Sequence, residues 1–306
     1  MPYDLIIIGG GPGGVAAGIY AARKKLKTLL VTDAFGGQSV VSLDIQNFIG
    51  IPSISGYDLA VAFEKQLRAQ KDVEIILGDR AGAVEKISKG GFRVKTETGK
   101  EFESKTVLLT CGSVRRKLGI PGEDEFNGRG VAYCAACDAP LFKGKRVALV
   151  GGGNSALEGV RDLIPHASEI WHFVRGEIKG DPLTLEKVSK SGKVKLMKPA
   201  EITEIIGKDS VEGIRYRKND TGETGEMAVD GVFIEIGWMP SAAMVKGLVE
   251  VNAGGEIIVD HKTQKTSCEG LWAAGDVTDA LYKQNNTSMG DAVKAVLNIN
   301  DWLHRN

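Results

Sequence analysis

The feature that most constrains this chain is a glycine pattern that occurs twice, each time directly after a short apolar run. The first run, residues 5–8, is typical of a strand buried on both faces. The turn after it fits the pattern G-x-G-x-x-G and contains Gly9, Gly11, Pro12, Gly13 and Gly14. A helical stretch (15–25), a second strand (29–32) and Asp33 come next, with the acid 19 residues after the last of these glycines. Glycines let a backbone approach a diphosphate at a helix N-terminus, and an acid at this distance accepts a ribose hydroxyl, so the unit is predicted to bind a dinucleotide.

The second occurrence of the pattern lies roughly 140 residues further along the chain. A strand at 146–150 leads into a turn that contains Gly151, Gly153, Asn154, Ser155 and Ala156, with alanine in place of the third glycine. A helix at 157–163 and a strand at 170–174 complete the unit. Because each such unit holds one diphosphate, two units predict two dinucleotide sites. The fold class that follows is α/β, with two Rossmann-like domains.

Ahead of the second unit stands the pair Cys134 and Cys137, followed directly by Asp138. Two thiols separated by two small residues can cycle between dithiol and disulfide, and a helical turn that starts there lowers the pKa of one thiol. The adjacent acid is suited to move a proton during exchange. The alternative for this spacing is half of a zinc site, which needs a second pair of ligands. Cys111 and Cys268 stand alone and the four histidines are scattered, so we predict a redox pair and no metal site.

Length and composition exclude several classes of protein. With 306 residues the chain is long enough for about two domains. Lysine plus arginine and aspartate plus glutamate are 39 each, and a net charge of zero argues against nucleic acid or an anionic membrane as partner. No apolar run is long enough to span a bilayer, and the run at 5–8 follows no basic region, which indicates a strand and not a signal peptide. We therefore expect a cytoplasmic protein, in which a C-x-x-C pair is more often catalytic than structural.

Some stretches have a less specific pattern. Residues 35–38 and 44–50 lie in turn-rich sequence and carry polar side chains to which the pattern assigns no role. Asp276 follows a small-residue strand end, where a carboxylate is able to bind a cofactor hydroxyl, but a turn aspartate is the simpler interpretation. Residues 117–123 and 238–241 are typical of linkers.

Taken together, these motifs resemble the low-molecular-weight thioredoxin reductase family over the whole chain. The matching features are the two glycine turns, the dithiol pair with its acid, and three short elements at 36–38, Asn47 and 274–276. The stretches 138–146 and 282–284 are more similar to the flavoprotein of alkyl hydroperoxide reductase. That flavoprotein has an additional N-terminal module with its own redox cysteines, which we expect to be absent because this sequence begins at the first glycine turn.

The resemblance implies FAD on the first unit and a reduced nicotinamide nucleotide on the second. The fold is then the three-layer ββα type of FAD/NAD(P)-binding domain, with one domain inserted in the other. The FAD-binding domain is discontinuous (1–115 and 241–306), and the inserted nicotinamide-binding-like domain (116–240) carries the dithiol pair. The FAD contacts expected by similarity, beyond the first glycine turn, are Asp33, Gly37, Gln38, Asn47, Gly275, Asp276, Lys283 and Gln284.

The activity implied by the resemblance is FAD-dependent disulfide reduction. Cys137 would face the flavin, Cys134 would attack the partner disulfide and Asp138 would be the acid/base. The expected partner is a thioredoxin- or glutaredoxin-like protein, and members of the family work as homodimers. One alternative keeps the enzyme but replaces the nicotinamide donor by ferredoxin, a deazaflavin or reduced flavin. A second alternative is a flavin-binding redox sensor without enzymatic activity.

The sequence departs from the family where the donor is selected. NADPH-specific members carry H-R-R-x-x-x-R after the second strand of the second unit, and the arginines bind the 2′-phosphate. Here Gly176 and Gly180 replace two of the three arginines, which leaves Arg175 as a nicotinamide contact. NADH-using relatives have a glutamate where Val174 stands. NADPH and NADH therefore both remain open as donors, and arginine restored at positions 176 and 180 is expected to raise NADPH use.

Overall fold

The computed structural model describes residues 2–88 and 90–305. They form two compact units, of which unit 1 consists of Met1–Val114 and Met239–Asn306, and unit 2 of Arg115–Trp238. These bounds fall within two residues of the domain bounds expected from sequence. The cofactor assigned to each unit remains a prediction.

Unit 1 is built on a seven-stranded sheet. Its strands are Tyr3–Gly10 (β1), Thr28–Phe35 (β2), Val73–Leu77 (β3), Ala81–Lys86 (β4), Phe92–Thr96 (β5), Glu101–Leu109 (β6) and Leu271–Ala273 (β17). The strand order is β3-β2-β1-β6-β5-β4, and β17 also pairs with β6. β1 runs parallel to β2 and β6, whereas β5 runs antiparallel to β4 and β6. The parallel part contains the predicted βαβ unit.

The apolar run of β1 is buried on both faces of this sheet, as predicted. The helices of unit 1 are Pro12–Arg23 (α1), Gly56–Arg68 (α2) and Asn285–Arg305 (α6). Leu5 and Ile7 pack in a cluster with residues of these three helices. Ile6 and Ile8 belong to a second cluster, formed with β4, β5 and the segment before β17. A run without polar alternation is what burial on both faces requires.

Unit 2 contains a five-stranded parallel sheet and a three-stranded antiparallel sheet. The parallel strands, in the order β11-β10-β9-β15-β8, are Val131–Ala132 (β8), Arg146–Val150 (β9), Glu169–Phe173 (β10), Val194–Met197 (β11) and Gly231–Ile234 (β15). The antiparallel strands are Ala200–Gly207 (β12), Val211–Lys218 (β13) and Thr224–Met227 (β14). The helices are Ala135–Asp138 (α3), Asn154–Leu163 (α4) and Pro182–Ser189 (α5). Where the chain passes between the units, Ser113–Arg115 (β7) pairs with Trp238–Pro240 (β16).

The parallel sheet of unit 2 is covered on one face by helices and on the other by the antiparallel sheet. Leu149 and Phe233 pack with residues of α3 and α4. Ala148 and Val232, their neighbours along the strands, pack with residues of β12 and β13. This gives the three layers of the predicted ββα arrangement, and the α/β class is confirmed.

One difference from the sequence-based prediction concerns β6. In the sequence, the alternating pattern predicts a short strand at 101–102, and the apolar run predicts a separate buried strand at 106–110. The structure has one continuous strand, in which Ser104 is buried and its hydroxyl donates a hydrogen bond to the Thr106 carbonyl at 2.8 Å. A buried serine that bonds its own strand does not interrupt the ladder.

Two further differences lie outside the parallel sheets. The sequence pattern also predicts a strand at 256–260, and this prediction is wrong, because Ile257 makes only isolated bridges there, to Val251 and Thr278. Helix α5 was not predicted, although Asp181 caps it by accepting the Thr184 N–H at 2.9 Å and proline occupies its first turn. This Asp-Pro pair is an ordinary helix-start signal.

Candidate functional site

Cys134 and Cys137 form a disulfide in unit 2, with their Cα atoms 5.3 Å apart. Cys134 is the N-cap of α3, and its carbonyl accepts the N–H groups of Cys137 at 3.1 Å and Asp138 at 2.9 Å. This single helical turn brings the two sulfur atoms together. Within unit 2, Cys134 is partly buried and Cys137 is exposed. The pairing expected from the C-x-x-C spacing is confirmed.

Asp138 closes the same turn and is an unusually weak acid. Burial raises the pKa of Asp138 to about 6, while the charge of Arg115 acts in the opposite direction. A carboxyl with this pKa exchanges its proton near neutral pH, as a general acid or base must. The turn therefore offers two sulfur atoms and a proton-exchanging group within five consecutive residues.

A buried carboxylate fixes the chain immediately before the disulfide. Glu123 accepts the Tyr133 hydroxyl at 2.8 Å and the backbone N–H groups of Leu118 at 3.1 Å and Gly119 at 2.7 Å. Burial, followed by the hydrogen bond to Glu123, raises the pKa of the Tyr133 phenol. The sequence pattern gave no indication of this contact, because the glutamate lies in the predicted linker.

The first glycine turn is shaped so that side chains are excluded where the backbone is tight. Gly9 has φ of 112°, and a Cβ atom there would lie 2.5 Å from the Thr110 carbonyl oxygen. A Cβ atom on Gly14 would overlap the Gly9 carbonyl oxygen. Gly11, the N-cap of α1, is different, since a Cβ atom on it would meet only the Cα of Gly37, at 3.9 Å. The space beside Gly11 and the unpaired N–H groups of the first turn of α1 fit a diphosphate.

Asp33 lies inside β2 and not after its end, and it is already paired. Its Oδ2 atom accepts Arg80 Nε at 2.7 Å and also contacts the second guanidinium nitrogen. The hydrogen bond and the charge of Asp33 raise the pKa of Arg80. Arg80 has no signal in the sequence, because it lies in a loop 47 residues away.

Two polar segments of unit 1 meet at the start of α6. Asn47 donates its amide to Gln284 Oε1 at 3.4 Å, and the Asn47 carbonyl accepts Asn286 Nδ2 at 2.9 Å. Ser39, in the short 3-10 turn Gly37–Val41 that also contains Gln38, donates to Asn285 Oδ1 at 2.8 Å. Residues singled out in separate loops by resemblance alone thus lie in one place.

Two glycines close to α6 have no space for a side chain. Gly275 has φ of 74°, and a Cβ atom there would overlap the hydroxyl of Ser288. A Cβ atom on Gly13 would lie 2.9 Å from the same hydroxyl. Asp276 follows directly in the 3-10 turn Gly275–Val277 and is partly buried. The Ser288 hydroxyl therefore packs against both the first glycine turn and the turn that contains Asp276. The sequence pattern did not indicate this residue.

The second glycine turn repeats the geometry of the first. Gly151 has φ of 147°, and a Cβ atom on it would overlap the Glu235 carbonyl oxygen. Gly153 is the N-cap of α4 and has open space on its Cβ side. Ala156 is buried, Ser155 is exposed, and Asn154 Oδ1 accepts the Asp181 N–H at 2.7 Å.

Comparison with known proteins agrees with this geometry. A family model described as pyridine nucleotide-disulphide oxidoreductase matches residues 3–297. The chain belongs to this family. An alkyl hydroperoxide reductase component of Pseudomonas putida and the NADH dehydrogenase of Bacillus subtilis are each 41% identical, over 99% and 100% of this chain. The thioredoxin reductase of Streptococcus pyogenes superposes with a TM-score of 0.93 at 33% identity, covering 99% of both chains.

The resemblance inferred from the motifs is thereby confirmed. The chain is an oxidoreductase of the pyridine nucleotide-disulphide family, whose cofactors are FAD and a nicotinamide nucleotide. It spans 58% and 59% of the length of the two curated relatives.

The segment after β10 carries Gly176 and Gly180 where NADPH-specific members of the family have arginines, and its packing accounts for one of the two glycines. Val174 is buried and Arg175 is exposed. The backbone carbonyl of Arg175 accepts a hydrogen bond from Asn219 Nδ2 at 3.1 Å. A Cβ atom on Gly176 would meet no atom beyond its chain neighbours within 4 Å. A Cβ atom on Gly180 would instead lie 2.6 Å from Leu157 Cδ1 and 3.0 Å from the Gly153 carbonyl carbon. That arginine at positions 176 and 180 raises NADPH use stays a prediction, and the structure favours position 176, because a side chain at position 180 must displace Leu157.

Lys283 directly precedes Gln284, and its side chain contacts the segment that follows Asp276. Its ammonium donates to the Thr278 carbonyl at 2.5 Å and is 2.9 Å from Glu256 Oε1. It is only 11% exposed, so this pair is largely shielded from water. Lys283 thus anchors the segment that follows Asp276.

Two absences concern only the described residues. Across 2–88 and 90–305, there is no group of three or more histidine, cysteine, aspartate or glutamate side chains that could hold a metal ion. In the same part of the chain, every helix is too short or too polar to cross a membrane.

Proposed function

We propose that this protein is an FAD-dependent disulfide oxidoreductase of the thioredoxin reductase type, which reduces a protein disulfide through Cys134 and Cys137. The observation that carries the proposal is the disulfide within one helical turn, closed by an acid whose pKa is about 6. Structural metal sites and buried structural disulfides need no proton-exchanging group beside them. Thiol exchange does need one, because each step creates or consumes a thiolate.

Unit 1 is the proposed FAD site. The N–H groups of α1 beside Gly11 would hold the diphosphate, Asp33 the ribose, and Asp276 the polar chain of the flavin, with Gly37 and Gln38 close to the first turn. Asn47 and Gln284 would contact the ring system from one side. When bound, FAD supplies the electron pair that opens the Cys134–Cys137 disulfide.

The exchange reaction balances without any further reactant. The Cys134 thiolate attacks one sulfur of the partner disulfide, a mixed disulfide forms, and the other partner sulfur leaves as a thiolate that takes a proton. Cys137 then loses its proton, attacks Cys134 and releases the second partner sulfur. Asp138 receives a proton from one thiol and returns it to the leaving thiolate, which its pKa of about 6 permits at neutral pH.

The donor is proposed to be a nicotinamide nucleotide bound at the second glycine turn, with Gly151, Gly153, Asn154, Ser155 and Ala156 around its diphosphate. Arg175 is exposed and directly follows Val174, the position at which the ribose would be recognised. A second candidate donor is a reduced ferredoxin, a deazaflavin or free reduced flavin. It is favoured by one observation, that Val174 is buried and offers no hydrogen bond to a ribose hydroxyl.

The proposed partner is a thioredoxin- or glutaredoxin-like protein, which presents the kind of exposed disulfide that a one-turn dithiol can attack.

The proposed assembly and location follow from the surface and the chemistry. Exposed apolar side chains at Ile49, Leu281 and Tyr282 of unit 1 support contact with a second copy of the chain, and hence a homodimer. Repeated exchange requires a compartment that keeps thiols reduced, so we also propose a cytoplasmic location.

Single substitutions of the two cysteines test the function. Cys134→Ser should leave reduction of the flavin by the donor intact and abolish reduction of a thioredoxin- or glutaredoxin-like disulfide. Cys137→Ser should abolish it as well, but should accumulate a mixed disulfide between Cys134 and the partner, visible by mass spectrometry. Cys268→Ser is the matched control, since that thiol lies in unit 1 and pairs with no other cysteine. Full activity of either active-site variant would contradict the proposal.

Anaerobic titration separates the donors and the sensor alternative. Flavin bleaching by NADPH or NADH supports the nicotinamide site, whereas bleaching only by ferredoxin, a deazaflavin or reduced flavin supports the second candidate. A protein that is bleached by none of these and turns over no disulfide would be a redox sensor.

A further inference from the structure

Glu235 lies where the second glycine turn and the disulfide turn meet inside unit 2. It directly follows β15, and its N–H donates to the Val150 carbonyl at 2.9 Å. Its own carbonyl oxygen is the atom that a Cβ on Gly151 would overlap. The backbone of Glu235 is therefore fixed against the start of the glycine turn.

The side chain of Glu235 points to the disulfide turn. Glu235 Oε1 accepts the N–H of Ala135 at 3.0 Å, and that amide nitrogen is bonded directly to the carbonyl carbon of Cys134. A Cβ atom on Gly159 of α4 would lie 3.2 Å from Ala135 Cβ and 3.3 Å from Glu235 Cγ, so glycine there leaves the space that the two residues share. The carboxyl thus has one packed position, one residue away from the redox pair.

Charged side chains on β7, α3 and α4 act on this carboxyl. The pKa of Glu235 is raised to about 7, mainly by burial and to a smaller extent by the charges of Asp162 on α4 and Asp138 on α3. The Ala135 hydrogen bond and the charge of Arg115 lower it. Two carboxyls with raised pKa values, Asp138 and Glu235, therefore lie on or next to the disulfide turn.

We propose that Glu235 is a positioning residue of the redox centre, which holds the backbone of the disulfide turn and places an ionisable carboxyl beside the Cys134–Cys137 dithiol. This role rests on the proposed disulfide exchange and adds to it a group that controls the acidity of the thiols. The disulfide carries no charge, whereas the reduced pair carries one as soon as a thiolate forms. An ionised Glu235 opposes that charge, and a protonated Glu235 does not. The dithiol is therefore less nucleophilic once Glu235 has lost its proton.

The test is Glu235→Gln, which keeps an oxygen that can accept the Ala135 N–H but removes the titration. The protein is reduced chemically and the rate of cysteine alkylation is measured as a function of pH, in a Cys111→Ser, Cys268→Ser background so that only the pair reacts. In Glu235→Gln the pKa of the more acidic thiol should fall by roughly one unit. The difference from the parent should vanish below about pH 6, where Glu235 is protonated in the parent protein.

Two variants serve as controls for this shift. Asp162→Asn removes a charge that also faces the site but makes no hydrogen bond to the disulfide turn, so its thiol pKa should move much less. Glu235→Asp keeps the charge and shortens the side chain, so it should retain the pH-dependent suppression of alkylation. Identical pH profiles for Glu235→Gln and the parent would overturn the inference, and so would an equal shift in Asp162→Asn.

Two further points keep the result decisive. Alkylation needs neither donor nor partner, so a failure of the proposed disulfide reduction would leave this measurement valid. If Glu235→Gln does not fold, infrared difference spectra of the parent, oxidised against reduced, should show a change in the carboxyl stretch near neutral pH. Its absence at every pH would also overturn the inference.

Discussion

In each unit a glycine with positive φ lies next to the last residue of the strand that leads into the glycine turn, with φ of 112° at Gly9 for β1 and 147° at Gly151 for β9. In each, a Cβ atom at that position would press on a carbonyl oxygen of a neighbouring strand end, that of Thr110 or of Glu235. The likeness continues after the second strand, where a backbone N–H returns to the glycine turn. Gly36 donates to the Gly10 carbonyl at 3.0 Å, and in unit 2 the residue at position 180 donates to the carbonyl of residue 152 at 3.1 Å.

The two turns differ in the side chains that would select a ligand. In unit 1, β2 itself carries Asp33, held by Arg80, whereas in unit 2 the buried Val174 follows β10. Gly37 and Gly180 both lie against the middle glycine of their turn, which explains glycine at position 180 without reference to a nucleotide. The comparison teaches that glycines in such turns are required mainly by close backbone packing. The side chains that would select the nucleotide differ between the two units.

The largest effect is expected at the third position of the pattern, where the two turns carry different residues. Gly14→Ala would force its Cβ atom into the Gly9 carbonyl oxygen, so unit 1 should lose about 3 kcal/mol or more of stability together with its flavin. Unit 2 already accommodates Ala156, and Ala156→Gly should cost only about 1 kcal/mol. Chemical denaturation followed by circular dichroism and flavin release measures both. Equal effects would show that the turns are not packed as described.

The middle glycines should separate folding from ligand binding. A Cβ atom at Gly11 makes no close contact within unit 1, so the fold of Gly11→Val should remain. Its flavin content should fall by at least about tenfold, because the side chain would fill the place proposed for the diphosphate. Gly153→Val is the matched change in unit 2 and should keep the flavin while lowering use of a nicotinamide donor. Flavin absorbance per chain and far-ultraviolet circular dichroism give the two readouts. A Gly11→Val protein with full flavin content would mean that the first turn does not bind FAD.

Local patterns explain which of these features were predictable. The spacing of Gly9, Gly11 and Gly14 and the interval between Cys134 and Cys137 express geometry within one turn, so the sequence is sufficient to find them. The same holds for the buried strands, whose apolar runs are continuous. The wrong strand at 256–260 had a comparable local pattern, but its residues find no continuous partner.

Contacts made by the tertiary fold were not predictable. Arg80 reaches Asp33 across 47 residues, and Glu235 reaches Ala135 across 100. Neither residue has neighbours that mark it, since each lies in or beside an ordinary loop or strand end. Ser288 likewise supports Gly275 only because α6 packs beside that turn. The electrostatics of the redox centre therefore had to come from the structure, whereas its cysteines did not.

The smallest expected effect concerns donor choice, and it tests whether the second turn has lost only its selecting side chains. A Cβ atom at position 176 meets no atom beyond its chain neighbours within 4 Å, so Gly176→Arg is expected to add a guanidinium next to Arg175 at little cost to the fold. One charge-assisted contact with a 2′-phosphate contributes about 1.5–3 kcal/mol when well formed, and less at an exposed site, so the NADPH-to-NADH ratio of kcat/KM should rise by about tenfold. Gly180→Arg must displace the buried Leu157 and approach the Gly153 backbone, so it should lower stability and leave the ratio unchanged. The unmodified protein should show no strong preference between the two nucleotides. A large NADPH preference before any substitution would mean that residues outside 174–180 bind the phosphate, and the contrast drawn between the two turns would then fail.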